Sequence, residues 1–463
     1  MLFLTIEDLL INGDTMYEPR IIAFLCSWCS YTGADTAGIA RIKSPANIRA
    51  VRVPCSGRVS PELVMRAFDQ GADGVLVLGC HIGECHYDTG NHRAAKRLPI
   101  LRSLMAFTGL EPERLRLDWV SASEGERFSR IAEEFTGSVR SLGPVHWRVK
   151  PDHGQFTSQR LTGTQETIPY LETDYTAKTD AIQRKARELL ENLQVSCVIG
   201  YEVSRRGKTR PAFAYTPEET RQLVWNRECT NNLTTYLPAR LHPVKGKEPP
   251  RPVAVVVKPC DSKAINVMVA ENLYRRDQVH VIGVVCEGMR TSLGNLQKRC
   301  VTCQETKPVV YDSLISETTP SFTTQHSTYA REEIAELQSA LPAERLEFWL
   351  GHFDRCIRCY ACRQACPLCN CPECLYERDD STFIGLGIGL NEKRTFHLGR
   401  AYHLAGRCVS CNECERACPM ELPISLLNQK LVEEIEAAFG YRAGLSITPS
   451  PIVTILSGEY KEG

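Results

Sequence analysis

The sequence predicts a multidomain α/β protein: a small parallel-sheet α/β domain, then an α/β middle domain, then a helical module built around cysteine runs. Three observations predict it. Short apolar runs alternate with helical segments from Arg20 to about Gly143, as in strands joined by crossover helices. A similar alternation resumes from Asp180 to Val285. The 22 cysteines fall into four groups, at 26–85, 197–303, 356–374 and 408–418, with none from 86 to 196, a spacing that implies modular construction.

In the first domain, 19–143, the expected strands are Ile21 to Leu25, Ile48 to Val53, Gly74 to Leu78 and Leu115 to Val120. Residues 1–18 read as an extension, with Met16 an alternative to Met1 as the start. Residues 144–179 are polar and lack periodicity, so they read as a linker. The middle domain, 180–343, should hold a helix from Asp180 to Asn192 and a strand from Val195 to Tyr201. A basic turn, Arg205-Arg206-Gly207-Lys208, follows, then strands at Val253 to Val257 and Val279 to Val285. The third domain, 344–437, holds the cysteine runs and helical sequence such as Ile424 to Ala438. The tail, 438–463, contains the helix-breaking Pro449-Ser450-Pro451.

Composition narrows the function. Lysine plus arginine equal aspartate plus glutamate at 55 each, so no overall field favours nucleic acid or an anionic membrane. No apolar stretch approaches the roughly 18 to 20 residues a bilayer span needs. The opening Met1-Leu-Phe-Leu-Thr-Ile-Glu-Asp lacks the basic start and cleavage site of a signal peptide, which points to the cytoplasm. In a large cytoplasmic chain, so many cysteines imply metal ligation rather than disulfides.

Cys356, Cys359, Cys362 and Cys366-Pro367 form C-x2-C-x2-C-x3-C-P, and Cys408, Cys411, Cys414 and Cys418-Pro419 repeat it. In such runs three thiolates hold one 4Fe-4S cubane and the fourth cysteine ligates the other. The expected sets are Cys356, Cys359, Cys362 and Cys418, and Cys408, Cys411, Cys414 and Cys366. Structural zinc would use two separated C-x2-C pairs instead. With 41 residues between Cys366 and Cys408, and a helix after Met420-Glu-Leu-Pro-Ile, the module resembles the helical dicluster modules of heterodisulfide reductase and fumarate reductase subunits. Cys369, Cys371 and Cys374 are left over: they are candidates for a further cluster with Cys229 or Cys197, or else buried thiols.

In the middle domain Cys260 and Cys286 follow strands and Cys300 and Cys303 form a C-x2-C, a set that can converge on a third 4Fe-4S cluster. Lys258-Pro-Cys-Asp and that C-x2-C resemble the beta subunits of deazaflavin-reducing hydrogenases and dehydrogenases, over roughly residues 180 to 315. In the first domain Cys26-Ser-Trp-Cys29, Pro54-Cys55-Ser-Gly-Arg58 and Gly79-Cys80-His-Ile-Gly-Glu-Cys85 put five cysteines at the carboxyl ends of parallel strands, where open α/β sheets build sites. From about Pro19 through Ala122-Ser-Glu-Gly to Gly143 the sequence resembles the delta subunit of methyl-viologen-reducing hydrogenase. That resemblance implies a 2Fe-2S cluster on four of Cys26, Cys29, Cys55, Cys80 and Cys85. A thioredoxin-like use of Cys26 and Cys29 fits three further cysteines less well. His81 and His86 flank the site, as ligands or as neighbours that tune it. Arg58 and the loop of Arg205, Arg206, Lys208 and Arg210 are candidates to hold a phosphate or a flavin (FAD) tail, or are simply solvated.

These readings imply an electron-transfer subunit. The resemblances imply partners: heterodisulfide-reductase-like subunits with a flavin-bifurcating core, supplied by a hydrogenase, formate dehydrogenase or NAD(P)H-oxidising subunit. The alternative is a flavin-binding catalytic beta-type subunit that turns over a deazaflavin or nicotinamide cofactor. Against it, Gly385, Gly387 and Gly389 lie between the cysteine runs and not in a βαβ setting.

Overall fold

The protein is described here from a computed structural model, which covers residues 17–147, 174–242, 250–291, 293–301, 303, 305–316, 329–380 and 384–453. The expected extension falls outside these residues up to Met16, as does most of the expected linker and the end of the tail. The described residues divide into two compact units: 17–106 with 110–147, and 174–453 with 107–109.

The first unit is built on a sheet ordered β2-β1-β3-β4, every pair parallel. Its elements are β1 (Ile21–Cys26), α1 (Ser30–Ile39), β2 (Ile48–Val53), α2 (Pro61–Asp69), β3 (Gly74–Gly79), α3 (Gly90–Phe107), β4 (Leu115–Trp119) and α4 (Gly125–Leu142). β3 is buried along its whole length, which is why its sequence, Gly-Val-Leu-Val-Leu-Gly, is continuously apolar rather than alternating. Helix α2 starts where Ser60 caps the Leu63 amide and Pro61 occupies the first turn. Ile131, Phe135 and Val139 of α4 pack onto Ile21, Ala23 and Leu76 of the sheet.

The second unit opens with α5 (Thr176–Glu191) and the hairpin β5 (Val198–Val203) and β6 (Thr209–Ala214), followed by α6 (Leu237–Leu241), β7 (Val253–Val257), α7 (Pro259–Ala270), β8 (Val279–Val284), α8 (Lys298–Val301) and β9 (Ser313–Ile315). The sheet runs β6-β5-β7-β8-β9, parallel except for the antiparallel β5–β6 pair. Thus the basic turn is a hairpin tip, closed by Ser204 and Lys208 with Gly207 at φ 73°. The helical remainder comprises α9 (Tyr329–Ser339), α10 (Pro342–Arg355), α11 (Ala361–Ala365), α12 (Leu390–His403), α13 (Glu413–Arg416) and α14 (Ser425–Phe439). It shares a core with the sheet: Leu368, Leu404, Val409 and Cys411 pack among Val255, Ile265, Ile282 and Met289. Among the described residues, no helix is long and apolar enough to cross a membrane.

Candidate metal centres

In the first unit β1 and β3 are neighbours at the middle of the sheet, and the chain winds outward on both sides of them. Their carboxyl ends form the crevice where such sheets build sites. Cys26 ends β1, Cys80 follows β3, Cys55 follows β2 through Pro54, Cys29 precedes α1, and Cys85 lies on the loop to α3. All five are buried. The Sγ atoms of Cys26, Cys29 and Cys80 lie within 4.8 Å of one another, and Cys55 and Cys85 are 3.8 Å apart. Hydrogen bonds from Cys29 and Cys55 pull the Cys26 thiol down to about 7, so the two groups meet. Cys80 falls to about 4 through its contacts with Cys26 and Cys29, while those same contacts push Cys29 far up. Cys26 and Cys80 are thus biased toward the thiolate, the form a metal binds, whereas Cys29, Cys55 and Cys85 are pushed up.

Glycine makes the approach possible. A Cβ on Gly90, at the start of α3, would lie 2.1 Å from the Cys55 sulfur and 3.2 Å from that of Cys85. His81 pairs with Glu124 at 2.6 Å. That carboxylate is held near pKa 2 by the Ser121 amide and then by His81. His86 stacks on Trp28, with centroids 3.6 Å apart, and Trp28 donates to the Tyr87 hydroxyl. Arg58 is exposed.

The two cysteine runs fold alike. Arg358 and Tyr360 in the first, and Ser410 and Asn412 in the second, are left-handed, at φ 51°, 58°, 58° and 52°. Such alternation turns successive backbone N–H groups toward one point, a cradle for an anion. The Arg358 amide donates to the Cys356 sulfur at 3.3 Å, and the Ser410 amide to that of Cys408. A larger hollow is lined by Cys366, Cys408, Cys411 and Cys414. A smaller one is lined by Cys356, Cys359, Cys362 and Cys418. Each therefore takes three thiols from one run and the last from the other. Four thiols around a hollow with amides aimed at sulfur match a cubane's donor set.

Two buried arginines serve these hollows. Arg400 lines the larger one and donates to the Cys362 carbonyl at 3.0 Å. Arg358 holds the carbonyls of Gly385 and Gly387 at 2.8 and 2.6 Å, so the glycine-rich stretch is tied down by a guanidinium. The three extra cysteines part company. Cys369 donates its thiol hydrogen to Cys366, pulling Cys366 down to about 6. Cys374 packs with the Cys356 and Cys362 core, and Cys371 is exposed.

In the sheet half of this unit Cys260 opens α7, Cys286 follows β8, and Cys300 and Cys303 flank the end of α8. Burial, then the charges of Cys300 and Cys303, push Cys286 up to about 12. Cys260, also raised by burial, feels Cys286 in turn. The amides of Gly288 and Met289 donate to Cys286 and Cys300 at 3.4 and 3.3 Å. Lys258, Lys263 and the Arg299 side chain are all buried beside this set. Each of these three cations is paired with a carboxylate, so the surround of the four cysteines is charged but locally balanced. Lys258 pairs with Asp261 at 2.6 Å, and Lys263 with Glu305 at 2.6 Å. Cys229 also lies here, within electrostatic reach of Cys286 and Lys258, whereas Cys197 is buried near Arg240 and Glu219. Arg205 and Arg206 are exposed at the hairpin tip. Sequence reasoning did not single out Arg299, Arg400 or Glu413, because a lone charged residue carries no spacing pattern.

Comparison with known proteins agrees with both ends of the chain. Residues 21–143 match the family described as methyl-viologen-reducing hydrogenase, delta subunit, and residues 352–422 match the 4Fe-4S dicluster domain. The iron-sulfur subunit of the F420-non-reducing hydrogenase of Archaeoglobus profundus is 49% identical over 128 residues, 28% of this chain and 93% of that protein. Its counterpart in Methanococcus voltae, from the vhc hydrogenase, is 45% identical over 128 residues, 28% of this chain and 89% of that protein. One subunit of the ferredoxin/F420H2-dependent CoB-CoM heterodisulfide reductase of Methanosarcina acetivorans is 53% identical over 127 residues, 27% of this chain but 16% of that protein. Through its first α/β unit, the chain belongs to the methyl-viologen-reducing hydrogenase delta-subunit family.

Proposed function

We propose that this iron–sulfur electron-transfer subunit relays single electrons between a donor module and a partner subunit and makes no bonds of its own. The observation that carries the reading is the pair of hollows, each with four cysteines drawn crosswise from two runs. Each would hold a 4Fe-4S cluster. Cys260, Cys286, Cys300 and Cys303 would hold a third, and four of Cys26, Cys29, Cys55, Cys80 and Cys85 a 2Fe-2S centre. When bound, such groups supply one-electron carriers with potentials set by hydrogen bonds, burial and charge.

The chain's own residues would do the rest. Left-handed turns aim amides at sulfur, and buried Arg400 offsets thiolate charge. The Cys369 thiol donates to Cys366, and Asn428 reaches the Cys414 sulfur at 3.8 Å. The middle region would act as a cluster-bearing counterpart of deazaflavin-type beta subunits. The relatives are subunits of hydrogenases and heterodisulfide reductases. That supports a place in a hydrogenase- or heterodisulfide-reductase-type complex; the complex we propose is cytoplasmic and joins heterodisulfide-reductase-like, flavin-bifurcating subunits to a hydrogenase, formate dehydrogenase or NAD(P)H-oxidising subunit.

Anaerobic reductive titration tests this. The isolated chain should take about four electrons from dithionite, one per cluster, and none from NADH or reduced deazaflavin. Stoichiometric flavin, with cluster absorbance bleached by NADH alone, would replace the relay with a catalytic subunit.

A further inference from the structure

The middle cysteine set and the larger hollow are joined by one side chain. Arg299 precedes Cys300 on α8, and its guanidinium donates to the Cys411 carbonyl at 2.7 Å and to Glu413 at 2.7 Å, with a further bond to the Thr230 carbonyl. Both charges are desolvated: the Arg299 side chain is 6% exposed and that of Glu413 is 2% exposed. The Arg299 Nε is buried and has no hydrogen-bond partner among the described residues. The second oxygen of Glu413 pairs with Arg416 at 2.7 Å. Arg400 repeats the arrangement one step along. It lines the hollow of Cys366, Cys408, Cys411 and Cys414, donates to the Cys362 carbonyl of the other hollow, and also has a buried Nε without a partner among the described residues.

Core packing orders the sites in the same way. Cys300, Cys411, Cys366 and Cys408 belong to the core of the mixed sheet. Cys356, Cys362 and Cys418 belong to a different core, which Cys414 of the larger hollow also joins, so the larger hollow stands between the two cores. Cys359 of that smaller hollow is exposed, whereas Cys411 and Cys414 of the larger one are buried.

We propose that the three cubane sites stand in the order middle site, larger hollow, smaller hollow, with Arg299 and Arg400 as positioning residues that set the potentials at the two junctions. The inference rests on the ligand assignment made above. A guanidinium stays charged when buried, and in a poorly polarisable surrounding its field stabilises added negative charge on both neighbours. The potentials of the two sites it separates are therefore raised together, and the site beyond is left alone. Glu413, pressed against Arg299, damps that effect at the first junction.

The test is a mediated redox titration of the full-length chain followed by electron paramagnetic resonance, the signals assigned with Cys359→Ser and Cys411→Ser. Arg299→Gln should lower the potentials of the middle and larger-hollow clusters. We expect at least a tenfold change in the reduced-to-oxidised ratio at fixed ambient potential, 59 mV for one electron, with the smaller-hollow cluster unmoved. Arg400→Gln should move the two hollow clusters and spare the middle one. Arg299→Lys and Arg400→Lys, which keep the charge, should stay near the parent. If Arg299→Gln does not fold, Glu413→Gln carries the test, because it should raise the same two potentials that Arg299 serves. Full iron content with all potentials unmoved, or with all three moved equally, overturns the order. A parent chain without three cubanes refutes the ligand assignment instead, so the two failures are distinguishable.

Discussion

Crosswise ligation makes a prediction that linear ligation reverses. Cys366 closes the first run, yet it lines the hollow with Cys408, Cys411 and Cys414, while Cys418 lines the hollow with Cys356, Cys359 and Cys362. From a parent with about fourteen irons, from three cubanes and one 2Fe-2S centre, Cys366→Ser should remove one cubane and leave about ten. Adding Cys411→Ser damages the same hollow, so the double variant should also retain about ten. Adding Cys359→Ser damages the other hollow and should leave about six. If each run held its own cubane, the two doubles would exchange values, since Cys359 and Cys366 would then share a cluster. The assay is iron and acid-labile sulfide per polypeptide after anaerobic reconstitution, with the paramagnetic signal of the surviving cubane as a check. About six irons in Cys366→Ser/Cys411→Ser and about ten in Cys366→Ser/Cys359→Ser would refute the geometry.

Further predictions rest on other parts of the chain. Gly90→Ala puts a methyl group 2.1 Å from the Cys55 sulfur, so the first unit should lose its two irons while the cubane irons remain; retention of its signal would contradict the convergence of those cysteines. Lys258→Met strands Asp261, which is fully buried, and should destabilise the chain by about 3–5 kcal/mol in anaerobic urea titration. Lys258→Met/Asp261→Leu should recover most of that loss, and additive losses would argue against a coupled pair. His352 is pushed down to about 4, by burial first and then by Arg355. An unfolded histidine takes up its proton near 6.5, so this contribution is whole above that pH and is lost as pH falls toward 4. The slope is about 1.4 kcal/mol per unit, so His352→Leu should flatten stability between pH 6.5 and 5. An unchanged slope would place the acid sensitivity elsewhere.

The parallel strands were legible because buried central strands are continuously apolar, as in Val253–Val257 and Gly74–Gly79. Strand Thr209–Ala214 was not: it contains Pro211 and charged Arg210, and a proline fits there because the strand lies at the sheet's edge. Ser313–Ile315 is too short to leave a periodic trace. C-x2-C-x2-C fixes a tight loop whatever surrounds it, so spacing named the cysteines of the two runs, and the two hollows are lined by them crosswise. Five cysteines for four places in the first unit stayed undecided, and the structure brings all five together. Cys229 was one of two alternatives, with Cys197, as a partner for Cys369, Cys371 and Cys374; it lies within electrostatic reach of Cys286. Buried arginines escape sequence reading for a related reason: Arg299 and Arg400 look like surface residues until packing removes their water.

The most direct test of the account is the metal content of the anaerobically purified chain: iron, sulfide, zinc and flavin per polypeptide, with electron paramagnetic resonance before and after dithionite. The account predicts about fourteen irons, matching sulfide, no flavin and signals from cubane and 2Fe-2S centres. Zinc with little iron or sulfide would contradict it.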